Sequence, residues 1–254
     1  MGHWDAQVVG LEQVGTLVFV HVACPPLNAV SRLGQFVLVR PLPRWDPYLR
    51  SVMFLVAHPS QETWWLYAQD LAQSTFRELW QHTAVCSLWG PWGSGFPALS
   101  PGGRVLVMTA ERYAAYVLGA VHEWARGMDV VFLLLREGGL LPEAPTWLPP
   151  SVEFIPVARN GAEFWAAAQR LLAWTDYVFM CGPSSWPSEV ARMWEETRSA
   201  LTPGRVFALL VDGITCGLGV CDTCVWDTPR GTVRLCRRGP VVDLAHWWGA
   251  IKGR

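Results

Sequence analysis

Four of the seven cysteines lie close together near the end of the chain, and their spacing limits the possible folds more than any other feature. Cys216 and Cys221 are separated by four residues, Cys221 and Cys224 by two, and Cys236 follows after eleven more. This spacing is typical of a plant-type [2Fe–2S] loop, in which four thiolates hold two irons. The sequence therefore predicts a metal-binding segment with these four cysteines as ligands.

The residues between the first two cysteines support this prediction. Gly217 and Gly219 alternate with apolar residues there. A backbone that bends around sulfur atoms needs positive φ angles and close approach, which glycine allows because it has no Cβ. The fourth ligand can come from a neighbouring strand, and residues 233–236 follow a short polar hairpin that fits this role.

Two other uses of these cysteines are open. Structural zinc also binds paired cysteines, but with gaps of two to four residues and no need for a glycine-containing wrap. A disulfide framework would suit a small secreted domain. The first five residues show no cationic segment that leads into an apolar one, so we predict no signal peptide and a cytoplasmic protein with reduced thiols.

Composition excludes several classes of partner. The formal net charge is −1 and 16% of residues are charged, so no broad basic surface for nucleic acid is expected. No apolar run reaches the roughly 18–20 residues that a membrane-spanning helix needs. A chain of 254 residues with 51% hydrophobic content is long enough for two domains or for one with an appendix. The 16 tryptophans fit either core packing or a subunit interface.

The first hundred residues read as short strands with little helical periodicity. Predicted strands are separated by proline and glycine, which is typical of a small antiparallel barrel. They cover residues 16–24, 34–40, 50–57, 63–68 and 85–89, with a short helix over 75–81.

After residue 103 the rhythm changes to alternating strands and helices. Continuous apolar strands of this kind indicate a parallel sheet covered on both faces. The predicted strands are 104–109, 130–135, 152–157, 177–180 and 206–211, and the predicted helices are 111–126, 162–174 and 187–200. The expected class is thus an α+β multi-domain protein, with a β-barrel over 1–99, a nucleotide-binding-like α/β domain over 100–211 and a [2Fe–2S] segment over 212–254.

Four motifs in this order resemble one known family. They are Gly34-Gln35-Phe36, Gly90-Pro91-Trp92-Gly93-Ser94-Gly95-Phe96, Cys181-Gly182-Pro183, and the cysteine loop with Gly239-Pro240-Val241 after it. Together they resemble the electron-transfer subunit of NAD-dependent dihydroorotate dehydrogenase, a member of the ferredoxin-reductase-like group. The order of the motifs is more specific than any one of them.

The resemblance implies an electron relay. NADH would reduce FAD in the barrel, FAD would pass single electrons to the [2Fe–2S] cluster, and the cluster would serve an FMN in a separate catalytic subunit of pyrimidine biosynthesis. It implies a hetero-oligomer, with the cluster-bearing face against the partner. The residues implied are Arg50, Gly90, Gly93 and Gly95 for FAD, the four loop cysteines for the metal, and Trp226, Arg237 or Arg238 for the partner contact; no residue is assigned a catalytic role.

Two stretches depart from the family pattern. Where the family reads L-R-R-P-x-S beside the flavin, residues 49–54 keep Arg50, which can pair with a phosphate. Phe54 replaces the serine and cannot donate a hydrogen bond. The Gly-rich turn that follows the first strand of the α/β domain is replaced by residues 109–113, where Glu111 brings negative charge to the expected pyrophosphate position. We therefore expect weak NAD(H) binding at this turn.

Cys181 lies in the C-G-P motif, which in this group is near the nicotinamide, although a lone buried cysteine after a strand is more often a packing residue. Cys24 and Cys86 are expected in the core. Two further functions remain open. One is the related diaphorase-like subunit of a hydrogenase or another multi-subunit reductase. The other is a non-enzymatic, cluster-bearing accessory subunit that has lost nucleotide binding.

Overall fold

The computed structural model describes residues 1–43, 49–60, 62–68, 74–158, 160–228 and 231–248. The first of its sheets is a closed barrel with the strand order β1-β2-β5-β4-β3-β6, in which every neighbouring pair is antiparallel. Its elements in chain order are β1 (Gly2–Val14), β2 (Leu17–Ala23), α1 (Pro25–Asn28), β3 (Phe36–Leu42), β4 (Ser51–Ser60), β5 (Thr63–Tyr67), α2 (Ser74–Gln81) and β6 (Val85–Trp92).

Strand β1 is the element that the sequence analysis missed. It closes the barrel by pairing with β2 on one side and β6 on the other. Most of its side chains are exposed or half-buried, and Ala6 is its buried residue. The other barrel strands carry continuous apolar runs, whereas β1 alternates polar and apolar residues, so a search for apolar runs does not find it.

The second sheet has six strands in the order β14-β11-β10-β7-β8-β9. All neighbours are parallel except β11 and β14, which are antiparallel. The chain from residue 104 onward contains, in order, β7 (Arg104–Ala110), α3 (Leu118–Trp124), β8 (Asp129–Arg136), β9 (Glu153–Ala158), α4 (Gly161–Leu172), β10 (Tyr177–Cys181), α5 (Trp186–Arg198), β11 (Val206–Leu209), the separate hairpin of β12 (Val225–Thr228) and β13 (Gly231–Arg234), α6 (Leu235–Arg238) and β14 (Val241–Asp243). The coarser part of the predicted class, a mixed α and β fold with more than one sheet, is confirmed.

The helix predicted over residues 111–126 is divided in the structure. A 3-10 helix over Glu111–Tyr116 comes first, and α3 begins after Val117. Tyr113 and Tyr116 are buried, which places this short helix between the barrel and the parallel sheet. Within the described ranges, no helix is long and apolar enough to cross a membrane.

Tryptophans in the described ranges mostly pack inside the protein. Those that are buried are Trp64, Trp80, Trp92, Trp124, Trp147, Trp186, Trp194 and Trp247. Trp89, at 37% exposure, belongs to the few exposed large apolar residues. Core packing therefore explains most of the high tryptophan count.

The barrel and the parallel sheet meet along β4 and α3. A Cβ built on Gly119 of α3 would lie 2.0 Å from the carbonyl oxygen of Val56 and 2.8 Å from the Cα of Ala57. The ring of Tyr116 packs edge-on against Phe54 with centroids 5.0 Å apart. Only glycine at position 119 permits this close approach of a helix to a strand.

We expect Gly119→Ala to lower the free energy of unfolding by about 3 kcal/mol, because the new methyl group forces β4 and α3 apart. Urea denaturation followed by circular dichroism measures this effect. Gly161→Ala, at the start of α4, is the matched control because a Cβ there meets no atom within 4 Å. Equal stability of the two variants would contradict the packing described for Gly119.

Candidate metal centre and a neighbouring carboxylate site

The cysteine loop follows β11 and lies against the barrel. Gly217 and Gly219 both have positive φ angles, 67° and 76°, as the sequence analysis predicted. A Cβ on Gly217 would lie 2.6 Å from Cδ2 of Leu38 and 3.0 Å from Cε2 of Phe36, both on β3. The loop therefore follows the barrel wall so closely that a side chain at position 217 would not fit.

The predicted hairpin between the third and fourth cysteines is confirmed. Strands β12 and β13 pair antiparallel, with Val225 opposite Arg234. Cys224 precedes the hairpin and Cys236 follows it, so the hairpin brings the two cysteines together. Cys236 was predicted at the end of a strand, but it lies in the single helical turn α6, where the amide of Leu235 donates to the carbonyl oxygen of Cys224 at 2.8 Å.

The four thiols interact in two pairs. Cys221 influences the ionisation of Cys216, and Cys224 influences that of Cys236. Cys224 and Cys236 are buried, Cys216 is half-buried and Cys221 is exposed. Among the described residues, no three His, Cys, Asp or Glu side chains are placed as ligands of one metal ion. Two thiolates for each of two irons is the ligand set of an all-cysteine [2Fe–2S] cluster, so the residues present fit that group.

Backbone amides of the loop point at the first sulfur. Burial opposes ionisation of Cys216, but the N–H groups of Val220, Leu218 and Cys221 together lower the pKa of its thiol to about 6. The Leu218 amide donates to the sulfur at 3.4 Å. Cys216 is therefore mostly a thiolate at neutral pH, which is the form that binds metal.

The other sulfurs differ in environment. Burial, followed by the contact with Cys224, raises the pKa of Cys236 to about 12. The hydroxyl of Thr223 donates to the sulfur of Cys221 at 3.2 Å. Hydrogen bonds to ligand sulfurs and solvent exposure both tune the reduction potential of an iron–sulfur cluster.

The outer edge of the loop faces solvent beside a polar groove. Val220 is 76% exposed next to the exposed Cys221. The groove, of about 610 Å³, is lined by Thr228, Thr232, Val233, Arg234, Arg237, Arg238, His246 and Trp247. Arg234 pairs with Asp222, and the Arg237 guanidinium lies over the Trp92 ring at 5.8 Å. Arg237 lies beside Gly219 of the loop, and Arg237 and Arg238 both line the groove. Trp226 is half-buried, with its ring centroid 6.4 Å from that of Trp247.

The glycines predicted for FAD make close contacts within the protein. A Cβ on Gly93 would lie 2.6 Å from the carbonyl oxygen of Gly239, and a Cβ on Gly95 would lie 2.8 Å from that of Leu33. Gly90 has a φ of 156°. The end of the barrel approaches the chain after the cysteines so closely that position 93 has no room for a side chain, which explains the glycine there.

Arg50 and Phe54 also have partners inside the protein. Arg50 donates to the carbonyl oxygen and the hydroxyl of Ser87 at 3.0 and 3.1 Å, and burial lowers the pKa of its guanidinium. Phe54 is buried between Phe36 and Tyr116. Arg50 is therefore engaged within the barrel through one nitrogen, Nη1, and the Phe54 side chain offers no polar contact to a flavin ring.

Cys181 is fully buried, and burial raises the pKa of its thiol well above the ordinary value, followed by the effect of Asp212. The hydroxyl of Thr109 donates to its carbonyl oxygen at 2.9 Å. A neutral, enclosed thiol is a packing residue in this structure. Cys24 and Cys86 are buried too, as predicted.

Glu111 has no solvent exposure, and its carboxylate binds the loop after β8. Burial acts to raise the pKa of this carboxyl, but the backbone N–H groups that donate to it lower the value from 4.5 to about 2. Its donors are the amides of Glu137, Gly138, Gly139 and Leu141 and the guanidinium of Arg136. The sequence predicts Glu111 at the ligand edge of the sheet but does not identify its hydrogen-bond donors. The Gly138-Gly139 pair after a strand was the one available indication of a donor loop.

No family model matches the sequence. The electron-transfer subunit of dihydroorotate dehydrogenase B (NAD⁺) from Desulforamulus reducens is 25% identical over 94% of this chain and 95% of its own. The gamma subunit of sulfhydrogenase 2 from Pyrococcus furiosus is 32% identical over 31% of this chain and 25% of its own.

Among solved structures, the chain is similar to an NADH-dependent reduced ferredoxin–NADP oxidoreductase, reported for insights into flavin-based electron bifurcation. That structure has a TM-score of 0.70 and 14% identity, with 97% of this chain and 91% of the other covered. At this level of identity the likeness concerns the fold.

We expect Glu111 to stabilise the protein most above about pH 4.5. Its pKa is lower in the folded than in the unfolded chain, so the stabilisation is complete above the unfolded value and is lost as the pH falls towards 2. Glu111→Gln should cost about 3 kcal/mol at pH 7, with a smaller cost at pH 3. Urea denaturation of wild type and Glu111→Gln between pH 7 and pH 3 measures the difference between their free energies of unfolding. Titrations of other groups are common to both proteins and cancel in this difference. A difference that does not change with pH would refute this account.

Proposed function

We propose that this chain, a divergent relative of dihydroorotate dehydrogenase electron-transfer subunits with a ferredoxin-reductase-like fold, carries electrons through a [2Fe–2S] cluster to a catalytic partner subunit. The observation that carries the proposal is that the loop with Cys216, Cys221 and Cys224 is followed by a hairpin that returns Cys236 to Cys224, so that the four thiols lie as two interacting pairs. A cluster held there would supply one-electron oxidation and reduction. In this proposal residues 1–99, 100–211 and 212–254 are the barrel, the α/β domain and the cluster segment.

The protein's own groups determine how such a cluster would be held. Cys216 is the ready thiolate, amides of the loop stabilise negative charge on its sulfur, and β3 covers the inner side. The exposed edge at Val220 and Cys221 is the side from which a partner can approach within electron-transfer distance. We infer that the partner docks there, with Arg237 and Arg238 facing acidic groups.

The relatives support two candidates for the partner. The curated relatives from Desulforamulus reducens and Pyrococcus furiosus are named as subunits of dihydroorotate dehydrogenase B and of a sulfhydrogenase, which are different oxidoreductases. The match to the first covers nearly the whole chain, so a dihydroorotate dehydrogenase of pyrimidine biosynthesis is the favoured acceptor, and a hydrogenase is the second. Identification of the subunit that co-purifies with this chain separates them.

FAD and NAD(H) enter the proposal through the resemblance. At the family's flavin-ring position, Phe54 packs edge-on against Tyr116 and offers no hydrogen bond to a flavin. The contact between Phe54 and Tyr116 favours a second candidate, a cluster-bearing accessory subunit whose barrel is a scaffold.

Anaerobic purification followed by cofactor analysis tests these proposals. We expect two irons and two sulfides per chain, visible absorption that dithionite bleaches, and a paramagnetic signal from the reduced protein. Flavin in equal amount would support the relay, whereas iron without flavin would support the accessory subunit. Protein that retains zinc and no iron after anaerobic reconstitution would refute the cluster assignment.

Replacement of one loop cysteine should alter the cluster. We expect Cys221→Ser to reduce the bound iron by half or more and to shift the visible spectrum, because an alkoxide is a harder and weaker ligand for iron than a thiolate. Cys24→Ala, which changes a buried cysteine in the barrel, should leave both unchanged. Identical spectra and iron content for wild type and Cys221→Ser would show that Cys221 is not a ligand.

A further inference from the structure

The loop that follows β8 forms an anion-binding site, and the anion in it belongs to the protein. One carboxylate oxygen of Glu111, Oε2, accepts three consecutive backbone N–H groups, and the other, Oε1, accepts a fourth together with a guanidinium. The distances are 2.9 Å from Glu137, 3.0 Å from Gly138 and 3.1 Å from Gly139 to Oε2, and 3.0 Å from Leu141 and 3.1 Å from Arg136 Nη1 to Oε1.

This arrangement is more specific than an ordinary ion pair. Successive N–H groups that converge on one point form a concave nest, which binds phosphate and other anions in many proteins. Arg136 adds a cation whose side chain is only 15% exposed, and its guanidinium is held in place by the carbonyl oxygens of Leu141 and Pro142 at 2.8 and 2.9 Å. The donors are therefore preorganised around the position of an anion.

The site also lies where ligands of such sheets bind. Glu111 directly follows β7, and the donor loop follows β8, its parallel neighbour. In open α/β sheets, ligands bind outside the carboxyl ends of the parallel strands. The Glu111 carboxylate therefore occupies the edge of the sheet at which a ligand phosphate would be expected.

The short 3-10 helix that begins at Glu111 also fills the space between the parallel sheet and the barrel. The hydroxyl of Tyr113 donates to Asp212 at 2.9 Å, which ties the helix to the chain after β11. The ring of Tyr116 contacts Phe54 and Tyr67 of the barrel, with centroids 5.0 and 4.9 Å apart. Residues 111–116 thus occupy an anion site and also form part of the contact between the sheet and the barrel.

We propose that Glu111 is a built-in occupant of a phosphate site, so that this α/β domain does not bind NADH or another pyrophosphate-containing ligand at the ends of β7 and β8. The domain then serves as a rigid support for the cysteine loop. This inference does not depend on the proposed cluster, because it rests on the Glu111 carboxylate and its donors in the loop after β8.

Binding of phosphate compounds to variants of the intact protein tests the proposal. The probes are inorganic pyrophosphate and ADP, followed by calorimetry, and NADH, followed by energy transfer from tryptophan. We expect no binding to wild type at about 1 mM probe. Glu111→Gly should bind pyrophosphate and ADP at least about tenfold more tightly than wild type, because the amides and Arg136 then lack an anion and a repelling charge is gone.

The matched control is Glu137→Gln, which removes one negative charge from the same region. The Glu137 side chain pairs with Arg112 at the surface, so this substitution leaves the Glu111 carboxylate in place. We expect it to bind the probes no better than wild type. Tighter binding to this control and to Glu111→Gly alike would mean that net charge governs binding, which would overturn the proposal.

A second variant serves in case Glu111→Gly does not fold. Glu111→Gln keeps the size of the side chain but places an amide group where two oxygens accept hydrogen bonds. We expect pyrophosphate to raise its melting temperature by several degrees and to leave that of Glu137→Gln unchanged. Binding of NADH or ADP to wild type at micromolar concentration, or equal affinities of wild type and both Glu111 variants, would overturn the proposal.

Discussion

The contact between the cysteine loop and the barrel is the constraint on which the rest of the arrangement depends. The segment that carries the cysteines has one short hairpin and one helical turn, which is too little to form a core of its own. It is positioned by neighbours: β3 lies under Gly217, the end of the barrel meets Gly239, and β14 joins the edge of the parallel sheet.

The buried carboxylate of Glu111 determines what the parallel sheet is able to do. A charge without solvent exposure must have compensating donors, and removal of one partner of such a group typically costs about 3–5 kcal/mol. Here the donors are the loop amides and Arg136, so the fold is stabilised by groups that could otherwise bind a ligand. An empty anion site would therefore make the domain less stable. Such a trade-off between stability and function is common in proteins.

The sequence was informative where local chemistry decides the outcome. Cysteine spacing, positive-φ glycines and apolar strand runs each depend on a few neighbouring residues, and the hairpin before Cys236 was predicted for that reason. Strand β1 was missed because its partners, β2 and β6, and not an apolar run, hold it in the barrel. The partners of Glu111 were missed because they lie about 25 residues further along the chain and meet it only through the register of two parallel strands.

In the proposed function, the exposed loop edge faces the partner and the filled sheet edge does not bind a ligand. A domain whose phosphate site holds its own carboxylate offers little to a soluble dinucleotide at that edge. The loop around Cys221, by contrast, is exposed and lies beside a groove lined by arginines. Because electron transfer rates fall steeply with distance, a cluster held there would exchange electrons with whatever protein covers Val220 and Cys221. In the proposed function, the surface around Val220 and Cys221, rather than the cleft between the barrel and the sheet, would then determine which partner this protein serves.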